Sequence, residues 1–184
     1  MIIHDRLYGK EEIDEQVLVK LIESPSVQRL KKISQFGMPR EYYHRDIYSR
    51  YEHSIGVFIL LRRLGAEADE QIAGLLHDVS HTAFSHVIDW VLGDPSKENF
   101  QDTKHLQFLA QSEVAEILSA YDFDYKEIAS IKNFSLLEQE LPALCADRID
   151  YTLQEIRLYF SEKEISLILS SFKNKTRYNI HIAE

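Results

Sequence analysis

"GLLHDVSHTAFSH", residues 74–86, sets three histidines and one aspartate into a run whose Leu75, Leu76, Val79 and Phe84 are core-type residues. Ile72, Leu75, Leu76 and Val79 recur at i, i+3, i+4 and i+7, the stripe of an amphipathic helix. The stretch therefore predicts a buried helix, and with it a helical core. His77, Asp78, His81 and His86 must then find partners, because a polar group buried without one costs free energy. On a helix His77 and His81 share a face one turn apart, and Asp78 is turned by about 100° from His77. An adjacent imidazole and carboxylate at a helix edge suit a divalent metal, since such N and O donors serve Fe, Mn, Co, Ni or Zn. A metal site needs more ligands than this pair, and they must come from elsewhere in the chain.

The surrounding sequence reads as an all-α fold with minor short β at the termini. "IIHDRLYG" is a short strand running into a turn at Gly9, and "RYNIHIAE" alternates like a strand. Val17, Leu18, Leu21 and Ile22 mark a helix that "SPS" stops, and Ser24-Pro25 then starts a second one running toward Gly37. "RYEHSIGVFILLRRLG" is apolar on all sides in its middle, as a buried central helix would be. A long helix is expected from Thr103 through Leu118, another across "LPALCADRIDYTLQEIRLYF", and a last one opened by Ser161 and Glu164 at capping-box spacing. "MPREYYHRDIYS" and "GDPSKENFQD" read as loops.

At 184 residues with 45% apolar and 28% charged residues, the chain is expected to form one domain over 1–184. The net charge of -9 argues against strong nucleic-acid binding and against an anionic membrane surface. "MIIHDRLYGKEEIDEQ" turns charged too early for a signal peptide, and the longest apolar run, "IGVFILL", is far too short to span a bilayer. With a single Cys145, the expectation is a soluble cytoplasmic protein.

Two further candidate ligands stand out. His53 heads the most buried helix, where a lone histidine is more often a hydrogen-bonded core residue. Asp147 shares a helix face with Asp150, Tyr151 and Gln154, opposite Ile149, Leu153 and Ile156; that polar face also reads as simply solvated. Taken in order, however, "SVQRLKKISQFG", "SRYEHSIGVF", "QIAGLLHDVSHTAFSH" and "DRIDY" resemble the successive motifs of the HD phosphohydrolase superfamily, and within it those of the deoxynucleoside triphosphate triphosphohydrolases. The likeness covers about residues 3–160, with the metal-binding core at about 27–160.

The resemblance implies a metal held by His53, His77, Asp78 and Asp147, with Asp78 able to bridge a second metal such as Mg. It implies that His81, His86 and His105 contact phosphate or protonate the leaving oxygen, with Asp89 orienting His86. It places Arg50 and Arg148 on the phosphates, Tyr151 against the sugar, and Asp150 and Glu155 among the substrate-binding residues. The implied substrate is a phosphorylated small molecule, a deoxynucleoside triphosphate cleaved to nucleoside and tripolyphosphate; homo-oligomers are common in the family. Other phosphoesters (a nucleoside monophosphate, a cyclic nucleotide or an alarmone) and a nucleotide sensor without turnover are the alternatives. Three departures bear on the choice: Leu106 follows His105 where the family has a glutamate, Glu155 replaces an aspartate, and a long C-terminal part is lacking.

Overall fold

The computed structural model describes residues 1–38, 40–42, 48–93, 96, 100–157, 159–176 and 179–182. Two strands, β1 (Ile2–Asp5) and β2 (Gly9–Glu12), pair antiparallel with Asp5 opposite Gly9. The Asp5 carboxylate closes the turn by accepting from the backbone N–H groups of Leu7 and Tyr8, and Gly9 takes the left-handed φ of +76° that ends it. Helices α1 (Gln16–Glu23) and α2 (Pro25–Gln28) meet at Ser24, whose hydroxyl donates to Leu21 O and accepts from Val27 N while Pro25 occupies the first helical position.

The next helix, α3 (Arg50–Arg63), opens on a capping box between Ser49 and Glu52 and is buried on every side from His53 to Leu61. It packs against α4 (Ala68–Leu76) on one flank and α9 (Ala146–Ile156) on another. Both approaches depend on glycine: a Cβ on Gly74 would lie 2.3 Å from Leu61 Cδ1, and one on Gly56 would lie 2.1 Å from Asp150 Oδ1. Between α4 and α9 run a 3-10 turn (Ser85–Ile88), α5 (Asp89–Leu92), α6 (Phe100–Gln111), α7 (Glu113–Ser119) and α8 (Tyr125–Ile128). The chain closes with α10 (Glu162–Ser171), which has the expected Ser161–Glu164 capping box, and the antiparallel pair β3 (Phe172–Thr176) and β4 (Asn179–Ile182). The all-α architecture with minor terminal β is thus observed. Among the described residues no helix is long and apolar enough to cross a membrane.

Several helix boundaries differ from expectation. The second helix is α-helical only to Gln28 and continues as a 3-10 turn to Lys32, because Ile33 leaves the helix and its carbonyl accepts from Arg50 N at 2.9 Å. The helix expected from Thr103 begins earlier, at Phe100, whose N–H is taken by Asp89 Oδ1 at 2.9 Å, and it breaks at Ser112, which turns back onto Leu109 O. The long helix across "LPALCADRIDYTLQEIRLYF" is confined to Ala146–Ile156. Half of the two expected loops, at 39, 43–47, 94–95 and 97–99, lies outside the described residues; of the rest, Arg40–Tyr42 form a 3-10 turn and residues 100–102 belong to α6.

A buried carboxylate determines where α9 begins. Glu70 of α4 accepts from Leu136 N at 2.7 Å and Leu137 N at 3.1 Å, and Leu136 O then accepts from Ala146 N at 2.7 Å. Glu70→Ala strands two buried N–H groups and is expected to cost about 1–3 kcal/mol in urea unfolding. Glu70→Gln keeps an acceptor oxygen and is expected to lose less.

Candidate metal centre

Helix α4 ends at Leu76, one residue before the first histidine of the opening motif, and residues 77–80 form turns. The expectation that His77 and His81 sit one turn apart on a continuous helix is therefore corrected. The cause lies in distant donors: Gln101 Nε2 donates to His77 O at 2.6 Å, and the Arg29 guanidinium donates to Val79 O and His81 O. These carbonyls are satisfied from outside, so the chain leaves the helix without losing hydrogen bonds.

The turn points His77 at His53. His77 Nδ1 donates to Gly74 O at 2.7 Å, which leaves Nε2 facing His53 Nε2 at 3.3 Å. Asp147, in the first turn of α9, lies 2.8 Å from His53 Nε2 and 3.7 Å from His77 Nε2. The ligand atoms of His53, His77 and Asp147 all lie within 4.8 Å of one another. A first-row ion bonding N and O donors at about 2.0–2.2 Å sets neighbouring donors about 2.8–3.6 Å apart in octahedral or tetrahedral geometry, and these three come close to that. The protonation chemistry also fits a cation. Burial opposes charge on His53, yet the hydrogen bonds to Asp147 and Asp150 outweigh it and push its pKa up to about 10. Burial likewise raises Asp147, but the His53 bond and the charges of His53 and His77 bring it below the usual carboxylate range. The pocket favours one positive charge between His53 and Asp147, which a divalent ion supplies as a proton does.

Asp78 stands at the rim of this group. Its Oδ1 is 3.5 Å from His77 Nε2 and 3.2 Å from His81 Nε2, and its Oδ2 is 2.6 Å from Arg50. Burial raises its pKa, but the Arg50 guanidinium and the two histidines hold it well below the ordinary range. Arg50 is itself buried, donating also to Ser85 Oγ at 2.9 Å and to Gln35 O at 3.3 Å.

The other sequence candidates divide by exposure. His81 and His105 are buried, and burial chiefly lowers the pKa of each to about 4. Among the described residues His81 Nδ1 and His105 Nε2 have no hydrogen-bond partner, while His105 Nδ1 lies 3.2 Å from Ser80 Oγ. His86 is half-exposed, its ring edge-on to His81 at 4.9 Å, with Nδ1 3.8 Å from Asp89 Oδ2. Asp89 is buried, and its Oδ1 accepts from the Phe100 N–H at the start of α6. Arg148 pairs with Glu138 at 3.6 Å and donates to Gln139 O; Tyr151 is partly buried and Glu155 exposed.

Asp150 and Gln154 are buried, so the polar face of α9 is turned inward and is not a solvated face. Asp150 Oδ2 meets His53 Nδ1 at 2.7 Å, and Oδ1 accepts from Tyr8 OH at 2.8 Å. Tyr8, Gln101 and Gly56 escape the sequence reading. Of these only Gly56 carries a signal, as a glycine inside a strongly helical run.

The HD domain family matches residues 50–154 of the chain. "Metal-dependent phosphohydrolase cns2" of Cordyceps militaris is 41% identical over 155 residues, covering 84% of this chain and 45% of the fungal protein. "Deoxynucleoside triphosphate triphosphohydrolase SAMHD1" of Bos taurus is 35% identical over 103 residues, 48% of this chain and 17% of the bovine one. A hypothetical protein of Aquifex aeolicus, known from its crystal structure, superposes on 100% of the chain with 54% of its own, at a TM-score of 0.71 and 22% identity, a likeness of fold. The chain spans about half the length of two curated relatives that it matches along most of its own length (49% and 45%).

Gly56 offers a test of the site's packing. A Cβ there would fall 2.1 Å from Asp150 Oδ1, so Gly56→Ala is expected to cost about 1–3 kcal/mol by overpacking. It should also lower the metal content of the purified protein, measured by elemental analysis.

Proposed function

The chain belongs to the HD-domain family, and we propose that it is a metal-dependent phosphohydrolase acting on nucleotides, with deoxynucleoside triphosphates as substrate and deoxynucleoside and tripolyphosphate as products. The observation that carries this is the convergence of His53 from α3, His77 from the turn after α4 and Asp147 from α9 onto one position. Asp78 is the fourth proposed ligand. A divalent ion bound there would supply Lewis-acid charge beside a phosphoryl group and make a nearby water more acidic. Similarity to a named triphosphohydrolase over about half of the chain supports the substrate class.

The chain's own residues supply the remaining chemistry. In the proposed reaction water attacks the α-phosphorus, the P–O5′ bond breaks, and a proton goes to the departing 5′-oxygen. His105 or His81 is the donor: each has a buried ring nitrogen without a partner among the described residues. Burial keeps both neutral near pH 7 in the free chain, and a triphosphate's negative charge raises such pKa values on binding. Arg148 and the half-exposed His86 are proposed to face the phosphates and Tyr151 the sugar; Arg50 reaches phosphate only by sharing its bond to Asp78.

A second reading has its own support. His105 bonds Ser80, and Leu106 is half-exposed beside it, so among the described residues no carboxylate orients the histidine. That arrangement favours a weakened enzyme, or a nucleotide sensor, over a fast hydrolase.

The test is a nucleotide panel with product identification, run on metal-analysed protein. Tripolyphosphate and deoxynucleoside are expected, with turnover and metal content both lost in His77→Ala and Asp147→Ala. His105→Ala is expected to lower kcat about a hundredfold or more while metal content stays. Orthophosphate released from a monophosphate moves the substrate to another ester, and nucleotide binding without any product establishes the sensor. Full activity and metal content in both ligand variants overturns the metal reading.

A further inference from the structure

Tyr8 is buried in the turn of the first hairpin, 142 positions from Asp150, and its phenol donates to Asp150 Oδ1 at 2.8 Å. Among the described residues the hairpin has further ties to the body that do not use that hydroxyl. Arg63 donates to Tyr8 O and lies 5.4 Å over its ring, and Arg62 reaches Glu12 O and Glu15. A phenylalanine would satisfy all of these contacts.

Among the described residues the hydroxyl's partner is the fully buried carboxylate of Asp150, whose other oxygen meets His53 Nδ1 at 2.7 Å. The carboxylate is fixed from a third side by the close passage of Gly56. Burial, and then the charge of Asp150, raise the Tyr8 pKa well above its ordinary value, so the phenol keeps its proton and remains the donor. The chain of contacts thus runs Tyr8 Oη–H to Asp150, then Asp150 to His53 Nδ1–H, leaving His53 Nε2 toward His77 and Asp147.

We infer that Tyr8 is a positioning residue for the metal centre: its phenol fixes the Asp150 carboxylate, which holds His53 with its proton on Nδ1 and Nε2 aimed at the ligand cluster. A buried carboxylate behind a ligating histidine orients the ring and raises its basicity, and here that carboxylate is itself oriented by a residue of the N-terminal hairpin. The inference rests on the metal reading of His53, His77 and Asp147 given above.

The test uses the whole chain and cobalt(II) alone as the probe, titrated against a competing chelator, together with the 15N resonances of the His53 ring before cobalt is added. Tyr8→Phe removes one oxygen and is expected to weaken cobalt binding about tenfold, within the range for such outer partners, and to shift the His53 15N signals. Arg63→Met is the control, because it loosens the hairpin and leaves the phenol in place. It is expected to lower Tm with little change in cobalt affinity. Asp150→Asn is expected to weaken cobalt binding at least as much as Tyr8→Phe, and adding Tyr8→Phe to it should bring no further loss. Unchanged cobalt affinity and unchanged 15N signals in Tyr8→Phe overturn the inference, as does an equal loss of affinity in Arg63→Met or additive losses in the double variant. In those cases cobalt bound by the unaltered chain and lost in His77→Ala leaves the metal reading standing. No cobalt uptake by the unaltered chain overturns both.

Discussion

An imidazole with a carboxylate on each nitrogen, sealed from solvent, sets the terms for the rest of the molecule. His53 lies between Asp147 and Asp150, and its side chain is 1% exposed. Hydrogen bonds with ionised partners are about twice as strong as neutral ones, and a buried charge is tolerated only when paired. Deleting one member of such a group costs about 3–5 kcal/mol, because the survivor is left charged and unmatched. From this follow the close passage of α9 over α3, the glycine at 56 that permits it, and the Glu70 brace that fixes where α9 starts.

The same interior sorts its histidines into two electrostatic kinds. His53 is held toward the charged form by two carboxylates, whereas His81 and His105, buried with less compensation, fall to about 4. Groups whose environments push their pKa values apart are the usual basis for dividing roles within one site. Asp78 sits between the two kinds, one oxygen on Arg50 and the other near His77 and His81. Arg50 in turn ties Gln35 to Asp78 and Ser85, which lie in the next stretch of chain beyond α3 and α4.

Much of the helical framework was legible because periodic apolar residues and capping pairs are local signals: the buried α3, the Ser24-Pro25 start and the Ser161–Glu164 box all appear where expected. His53, His77, Asp78 and Asp147 stood out because such residue types are conspicuous in or beside apolar runs. What escaped was non-local. The end of α4 is decided by Gln101 and Arg29, neither of them part of its periodicity. Helical spacing correctly grouped Asp150 with Asp147 and Gln154, but spacing alone does not say whether a polar face meets water or a buried cluster. Tyr8 gave no sign at all, since one hydroxyl reaching across 142 positions leaves no trace in a window of neighbours.

Gly74 serves two masters. Its lack of a side chain lets α4 settle against Leu61 of α3, and its carbonyl receives the Nδ1 proton of His77. The spacing of two core helices and the tautomer of a candidate ligand are therefore set by the same residue. A substitution that pries α3 from α4 therefore also moves the carbonyl that anchors the His77 ring, so this seam of the core sets the aim of an imidazole as well as the stability of the fold.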